Sequence, residues 1–314
     1  MRKSWQIVAW IGATILLLYF VSRVDRSALR QAAAVVDWTW IVVAIIANAL
    51  ILVSWAALWW TVAPTDERPT YGVMFEINAM ASALMNTMPF LGGHAAAVVL
   101  MIKRASMTRA AALSVMALDQ LGEGLAKVSI FLVVAIAAPL PDWMRVGVAT
   151  ICVAVGALFV GMVALAHSHA YMRPAAEKRM THMMRMRVLA ATWAERMETL
   201  RSVRQSLVAL GFAIGTKIAE GAGLLAVQYA FGVDLSIGAT ALVLGAVVLG
   251  SILPVTPGNV GTYEAGAFLA YRHLGVDPAM ATILAIASHA CFMIPSVGIG
   301  YVLGSWKLRS VATA

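Results

Sequence analysis

Long apolar segments separated by short polar links occupy most of the chain. A helix of about 20 residues crosses the hydrocarbon core of a bilayer, and several segments reach or approach that length. Six are interpreted as full spans, at residues 5–21, 38–62, 110–138, 146–166, 207–231 and 280–303. Their apolar residues run continuously and do not alternate with a period of two, which predicts helices and excludes a closed barrel. The pattern therefore predicts an all-α polytopic membrane protein.

Two further apolar stretches, 71–102 and 237–271, are interrupted by helix-breaking residues. The breakers of the first stretch are Asn86, Pro89, Gly92 and Gly93, followed by His94. Those of the second are Pro254, Pro257, Gly258, Asn259 and Gly261, followed by Glu264. A helix that breaks within a membrane is tolerated only inside protein or beside a watery cavity. We therefore predict two re-entrant helical hairpins; the alternative is a surface loop that joins two ordinary spans.

The order of these segments repeats. Each half of the chain contains two spans, a broken hairpin and a further span, so residues 1–138 and 146–306 are predicted to form an inverted repeat within one domain, 1–314. Inverted repeats with discontinuous helices are common in secondary transporters. The segment 167–205 is strongly basic, which places it on the cytoplasmic side. Counting spans from it places both termini in the cytoplasm, provided that each hairpin returns to its side of origin.

Composition agrees with membrane insertion. The chain is 61% hydrophobic and 12% charged, against about 45–50% and 25% for soluble domains. Its net charge of +8 comes mostly from loop residues, so we interpret it as an orientation signal and expect no nucleic-acid partner. Seven tryptophans near predicted span ends are expected to form interfacial belts: Trp5, Trp38, Trp40, Trp59, Trp60, Trp143 and Trp306.

Charged residues occur inside two predicted spans. Asp119, Glu123 and Lys127 follow each other at four-residue steps, and Lys217 and Glu220 are three apart, so each set shares one helix face. A charge that faces lipid is costly, so both faces should point into the bundle or a wet cavity. One interpretation is a structural ion-pair ladder between Glu123 and Lys127. The other is a polar track for a headgroup or a proton, with ion pairs across the bundle.

Two histidines have different surroundings in the sequence. His94 follows Gly92 and Gly93, where a new helix would present free N–H groups to an anion. His289 lies within the last span, where a structural role is the ordinary expectation. The sequence contains no nucleotide loop, metal-spaced cluster or nucleophile triad, so we expect no cofactor and no metal. An enzyme is not favoured.

The sequence PVTPGNVGTYE, residues 254–264, together with the segment that follows it, resembles the transmembrane flippase family of lysylphosphatidylglycerol synthases. MPFLGGH and ALDQLGEGL extend the similarity into the first half. The resemblance implies a bacterial inner-membrane protein that corresponds to the translocation part alone, without the aminoacyl-transferase domain. At the residues after Gly93, where relatives commonly have an acidic residue and then an arginine, this chain has His94 and three alanines.

The sequence thus favours a lipid translocator whose two hairpins line a central path. The outer half would contain Pro254, Pro257, Gly258, Gly261 and Glu264, and the inner half Asn86, Pro89, Gly92, Gly93 and His94, with Asp119, Glu123, Lys217 and Glu220 between them. The expected partner is a membrane lipid, with a second copy or a lipid-synthesis enzyme as further candidates. The alternatives are a membrane-embedded enzyme acting on a lipid phosphate or polyprenyl-linked substrate, an ion or metabolite transporter, and a scaffold.

Overall fold

The computed structural model describes residues 36–88, 92–137, 140–172, 191–193, 195–252 and 256–312, and the single residues 11, 15 and 34. Within these residues the regular structure is helical. The helices are α1 Trp38–Val62, α2 Tyr71–Thr87, α3 Gly92–Arg104, α4 Arg109–Ala137, α5 Asp142–Met172, α6 Val203–Ala230, α7 Ile237–Gly250, α8 Thr262–His273 and α9 Pro278–Ala312. Short 3-10 turns lie at Glu198–Arg201 and Pro257–Asn259. The predicted span at 5–21, most of the basic segment, and Pro89 and Pro254 lie outside the described residues.

Among the described residues, four helices are long and apolar enough to cross a membrane: α1, α6, Asp142–His167 of α5 and Pro278–Ser305 of α9. The predicted span at 38–62 coincides with α1, those at 146–166 and 280–303 lie within α5 and α9, and that at 207–231 ends one residue after α6. Helix α4 has 29 residues, about 44 Å of helix, but carries three charged residues near its centre. The predicted class, an all-α polytopic membrane protein, is confirmed.

Helices α2 and α3 form a hairpin whose two ends lie at the same end of the molecule. Glu67, just before α2, accepts hydrogen bonds from Thr108, just after α3, at 2.6 Å from the backbone N and 3.0 Å from the hydroxyl. The segment before α6 reaches the same place, because Arg196 forms ion pairs with Asp66 at 2.7 Å and Glu67 at 3.0 Å. We call this cluster, Asp66, Glu67, Thr108 and Arg196, the ionic clasp.

Helices α7 and α8 form the second hairpin, which starts and finishes at the opposite end. Gln228, near the end of α6, accepts a hydrogen bond from Thr240 at the start of α7, at 2.7 Å, and donates one to the hydroxyl of Tyr271 near the end of α8, at 3.2 Å. The start of α1 lies beside it, since the Asp37 amide donates to the Ala230 carbonyl at 2.9 Å. Helices α1 and α6 run between these two ends of the molecule.

The tips of the two hairpins meet inside the bundle. Gly258, in the second tip, has φ +59° and lies so close to the first tip that an added Cβ would be 2.9 Å from the Asn86 carbonyl oxygen. The breaks predicted at 86–94 and 252–266 are therefore both present, with helix boundaries at Thr87, Gly92, Gly250 and Thr262. The two hairpins approach each other from opposite ends, as an inverted arrangement requires. The internal repeat of 1–138 and 146–306 stays a prediction.

Two apolar clusters lie on either side of the meeting tips. One contains Met74, Met101 and Leu121 and surrounds the first hairpin. The other contains Phe131, Leu242 and Tyr271 and surrounds the second. On α4, Asp119, Glu123 and Lys127 lie between Leu118 of the first cluster and Phe131 of the second. On α6, Lys217 and Glu220 lie between Ala213 and Leu224, again at the boundary of the two clusters. The charges therefore occupy a polar layer at mid-length of the bundle.

The second hairpin depends on two glycines. An added Cβ would lie 2.6 Å from the Ala246 carbonyl oxygen at Gly266, and 2.5 Å from the Thr262 carbonyl oxygen at Gly250. Positions 246 and 250 thus face positions 266 and 262, which shows that α7 and α8 run antiparallel. Backbone oxygens are the obstacle at both glycines, so a side chain could be admitted only if the helices separated.

We expect Gly266→Ala to destabilise the protein by about 1–3 kcal/mol, as overpacking generally does. The matched control is Gly156→Ala on α5, where no atom lies within 4 Å of the added Cβ. The measurement is thermal unfolding of both variants in the same detergent. Equal melting temperatures for the two variants would contradict the close contact between α7 and α8.

A second prediction concerns the ionic clasp. Hydrogen bonding to Arg196 lowers the pKa of the Asp66 carboxyl from its ordinary value of 3.8. The stability contributed by this pair is therefore present above that ordinary value and is lost as the pH falls through the lowered one. We expect Arg196→Gln to lower the melting temperature at neutral pH and low salt, and this loss to shrink in about 1 M NaCl, where the screening length is about 3 Å.

The control for this experiment is Arg204→Gln, because Arg204 is exposed and lies a few residues further along the chain. It removes the same charge without removing the clasp. A loss of stability in Arg196→Gln that is independent of salt, or an equal loss in Arg204→Gln, would show that the clasp contributes nothing specific.

Candidate functional site: a polar cavity where the hairpins meet

A cavity of about 300 Å³ lies where the two hairpin tips meet α1, α4, α6 and α9. Its apolar wall includes Leu58, Val247 and Phe292. Most of the polar side chains that line it were predicted from the sequence: Asn86, His94, Asp119, Glu123, Lys127, Lys217, Glu220 and Asn259. Gly258 also lines it. A cavity with one apolar wall and several convergent polar groups is the usual form of a small-molecule site.

Asp119 is fully buried and is held by two indole rings. Its Oδ1 atom accepts hydrogen bonds from Trp55 Nε1 at 2.7 Å and from Trp59 Nε1 at 2.8 Å. Its Oδ2 atom accepts a third from Gln120 Nε2 at 3.2 Å. The expectation that Trp59 belongs to an interfacial belt is therefore wrong: its ring is fully buried, and the carboxylate supplies the partner that a buried indole N–H needs.

The other charges form ion pairs within their own helices. Lys127 lies 2.7 Å from Glu123, one turn earlier on α4, and Lys217 lies 2.9 Å from Glu220, one turn later on α6. The sequence raised the alternative of ion pairs across the bundle, and among the described residues the contacts are instead local. The reason is reach: partners three or four residues apart on one helix already face each other.

Three polar atoms of the lining have no hydrogen-bond partner in the described part of the chain. They are His94 Nδ1 on α3, Ser251 Oγ after α7 and Asn259 Oδ1 in the second tip. A buried polar atom without a partner costs about 1–3 kcal/mol. Each of these three atoms is itself buried, and further unpartnered atoms lie outside the cavity lining, for example on Asn78 and Ser114. The unpartnered atoms therefore do not by themselves mark a ligand site.

The cavity is only partly enclosed. Ile252, which lines it, is 40% exposed, and the side chains of Glu123 and Lys127 are 32% and 22% exposed. Gln120 is exposed as well. These residues lie near mid-length of α4 and at the second hairpin tip, far from both ends of the molecule. Charged and polar groups of the lining are thus accessible at mid-length of the bundle.

Glu264 and His289 lie behind the cavity wall and hold the second tip. Glu264 Oε2 accepts the Gly261 amide at 2.7 Å, which caps the start of α8. Its Oε1 atom lies 2.7 Å from His289 Nδ1, and His289 Nε2 lies 2.9 Å from the Gly258 carbonyl oxygen. Tyr263, which lines the cavity, stacks on the His289 ring at 4.3 Å.

The number of protons held by Glu264 and His289 together follows from their hydrogen-bond partners. The Gly258 carbonyl can only accept, so His289 Nε2 carries a proton. The contact between Nδ1 and the carboxyl then contains one proton, either on the imidazolium or on a neutral Glu264. Both states are neutral overall. Glu264 is therefore a positioning residue for the tip, and its predicted place on a substrate path stays a prediction.

The sequence analysis missed several cavity residues. Trp55, Gln120, Thr216, Ser251, Tyr263 and Phe292 line the cavity but were not singled out. Trp55 and Trp59 are four residues apart and so share a helix face, a signal that was available in the sequence. Ser251 and Tyr263 flank the predicted break, but nothing in their spacing distinguishes them. Of the predicted glycines, Gly92, Gly93 and Gly261 shape the tips without lining the cavity.

The sequence matches a known family over nearly the whole chain. Residues 6–300 match the family described as the lysylphosphatidylglycerol synthase TM region. The chain belongs to this family. The resemblance noted in the PVTPGNVGTYE and MPFLGGH segments is thereby confirmed, and the protein is a multi-pass membrane protein of the lysylphosphatidylglycerol synthase TM family. No curated protein and no solved structure matches the chain.

We expect Glu264→Gln to lower thermal stability. The helix cap and His289 each require one carboxylate oxygen of Glu264, and the amide of Gln has a single acceptor oxygen. A buried partner lost in this way costs about 1–3 kcal/mol. The control is Glu198→Gln, since Glu198 lies outside the bundle, where its carboxylate accepts a hydrogen bond from the exposed Thr65 hydroxyl. Unfolding in detergent measures both. Wild-type stability of Glu264→Gln would contradict the positioning role.

Proposed function

We propose that this protein moves an amphiphilic lipid between the two leaflets of a membrane, with the polar headgroup passing through the cavity and the apolar chains remaining in the bilayer. The observation that carries the proposal is the combination of a polar cavity at mid-length with charged lining residues that are partly exposed. A soluble ion or metabolite needs no side opening. A lipid does, because its headgroup must enter while its tails stay outside.

The two hairpins provide a route toward each leaflet. Each starts and finishes at its own end of the molecule, and its tip lies beside the cavity. Movement of one tip would connect the cavity with one side, and movement of the other tip with the opposite side. This is the alternating access that inverted hairpins support in secondary transporters.

The paired charges are suited to such a route. An isolated charge at mid-depth is expensive, but Glu123 with Lys127 and Lys217 with Glu220 are each neutral as pairs. Each pair offers a donor and an acceptor side by side to a passing headgroup. The two pairs therefore lower the barrier for a polar group without adding a net charge that would trap it.

The charge distribution gives the proposed orientation. Basic residues of α3, α4 and the segment before α6 gather at the end with the ionic clasp: Lys103, Arg104, Arg109, Arg196, Arg201 and Arg204. The opposite end has Arg145 and Arg272 and the acidic residues Asp37, Asp234 and Asp277. By the positive-inside rule the clasp end faces the cytoplasm. We place the protein in the bacterial inner membrane with both termini on the cytoplasmic side.

The test is leaflet movement of fluorescent lipids in liposomes that contain the purified protein, followed by dithionite bleaching of the outer leaflet. We expect Lys217→Gln to slow movement about tenfold or more, because it leaves Glu220 as a buried charge without its partner. The control Lys103→Gln removes the same charge from the exposed end of α3 and should move lipid at the wild-type rate.

Two outcomes would overturn the proposal. One is a folded wild-type protein that moves no lipid from a panel with anionic, zwitterionic and uncharged headgroups. The other is an equal rate in Lys217→Gln and Lys103→Gln, which would show that lipid moves by a path that does not involve the cavity.

A further inference from the structure

The second hairpin tip is attached to α9 through one imidazole ring. His289 Nε2 lies 2.9 Å from the Gly258 carbonyl oxygen, and His289 Nδ1 lies 2.7 Å from Oε1 of Glu264. The other carboxylate oxygen of Glu264 accepts the Gly261 amide at 2.7 Å. The ring therefore holds the turn at both of its ends, directly at Gly258 and through Glu264 at Gly261. Movement of the tip away from α9 must break these contacts.

The remaining side-chain hydrogen bonds of the turn, among the residues that the structure describes, stay inside the turn. They run from the Thr256 hydroxyl to the Val260 carbonyl at 2.9 Å and from the Thr262 hydroxyl to the Asn259 carbonyl at 3.0 Å. Neither bond joins the tip to another helix. In this part of the chain, the His289 ring is thus the polar link between the tip and α9.

The closed contact requires one shared proton. If that proton left, a lone pair of His289 Nδ1 would face a carboxylate oxygen of Glu264 across 2.7 Å, with a buried charge that nothing neutralises. If a second proton arrived, the pair would have a buried positive charge. The new O–H of Glu264 would also oppose a donor, because both carboxylate oxygens already face one.

An open tip would not have this requirement. In the closed structure the side chains of Glu264 and His289 are 3% and 4% exposed, and Tyr263, which lines the cavity, stacks on the imidazole at 4.3 Å. Movement of the tip would bring water to both groups. A solvated histidine titrates at about pH 6.5 and a solvated glutamate at about pH 4.3. At neutral pH the solvated pair therefore holds less than one proton, and opening releases the shared proton to water.

The helices around the pair add little that titrates near neutral pH. Helices α1 and α7 contain no titratable residue. On α6, Lys217 and Glu220 are paired at 2.9 Å, and on α2, Glu76 is about 17 Å of helix from the tip at Thr87. Across the cavity, α3 has His94 and α4 has the charges described above. On α8 and α9 the neighbouring groups are two phenols and a thiol, which ordinarily titrate at about pH 10 and 8.5: Tyr263, Tyr271 and Cys291.

We infer that the second hairpin tip is a proton-dependent latch, in which the closed tip binds one proton between Glu264 and His289 and releases it on opening. The inference rests on the proposed function, in which movement of this tip connects the cavity with the outer side. A proton that binds only to the closed form favours closure, so closure weakens as the pH rises above the ordinary pKa of histidine. Acid on the outer side would keep the tip closed.

The experiment measures hydrogen–deuterium exchange of the tip in the purified full-length protein in detergent, using peptides that cover residues 257–265. Dividing each rate by the intrinsic exchange rate at the same pH gives the frequency of tip opening. We expect this frequency to rise about eightfold from about pH 6 to about pH 7.5, because a solvated histidine and glutamate together hold about 0.8 of a proton at the lower pH and about 0.1 at the higher.

Three histidine variants identify the titrating group. His289→Gln should remove the rise with pH, whatever its effect on the overall frequency of opening. The matched control His273→Gln removes an imidazole from the exposed end of the same hairpin and should keep the rise. His94→Gln removes the imidazole of the cavity lining and should keep it as well. Peptides from α1 report in each variant whether the bundle is folded.

A purely structural role for His289 predicts a different result. Its loss would then raise the frequency of opening by the same factor at every pH, and the wild-type frequency would not depend on pH. A wild-type frequency that is constant from about pH 6 to about pH 7.5, an unchanged rise in folded His289→Gln, or a rise that disappears in His94→Gln would each overturn the latch.

Exchange and lipid movement are measured on the same preparations, so the two proposals fail separately. Lipid movement together with any of the three contradicting exchange results would leave translocation in place without the latch. A rise with pH that His289→Gln abolishes, in a protein that moves no lipid from the panel, would overturn translocation and leave the proton site in place.

Discussion

The structure depends on one constraint: a helix that ends inside a membrane must find partners for its last backbone groups within the protein. Two apolar stretches end in this way, one at Thr87 and one at Gly250. Lipid cannot satisfy the freed N–H and C=O groups. The fold meets this requirement by directing the two tips toward each other and surrounding them with helices. The Gly261 amide is then bound by Glu264, and the Gly258 carbonyl by His289.

The polar cavity follows from the same arrangement. Around the meeting tips the apolar residues form two separate clusters, one about each hairpin. The gap between them is the layer in which α4 and α6 carry their charges. Buried polar groups require partners, and this layer supplies them locally through two ion pairs and the indoles of Trp55 and Trp59. The region in which the apolar packing is interrupted is therefore the region available for a ligand.

Function in this family member is best understood through the division of roles within the polar layer. Some polar residues are fully engaged and hold the architecture, among them Asp119, Glu264 and His289. Others line the cavity, as His94, Ser251 and Asn259 do. The polar layer therefore contains both the groups that hold the fold together and the groups that the proposed headgroup would meet.

The sequence by itself determined the helices, the two breaks and the helix faces that carry charge. These are local properties: apolar runs set the spans, Pro and Gly end a helix wherever they occur, and residues three or four apart share a face. For this reason the break at 86–94 and the alignment of Asp119 with Glu123 could be predicted without a structure. The family motif extended the prediction to the protein class.

Only the tertiary structure decided which groups meet. Nothing in the sequence joins Asn86 to Gly258, Glu264 to His289 or Asp119 to Trp59, because each pair is separated by more than twenty residues and depends on how the hairpins pack. The same reason explains the error over Trp59, which is near the end of an apolar run and yet faces the bundle interior. Helical periodicity defines a face, but the neighbouring helices decide whether that face meets lipid, a core or a cavity.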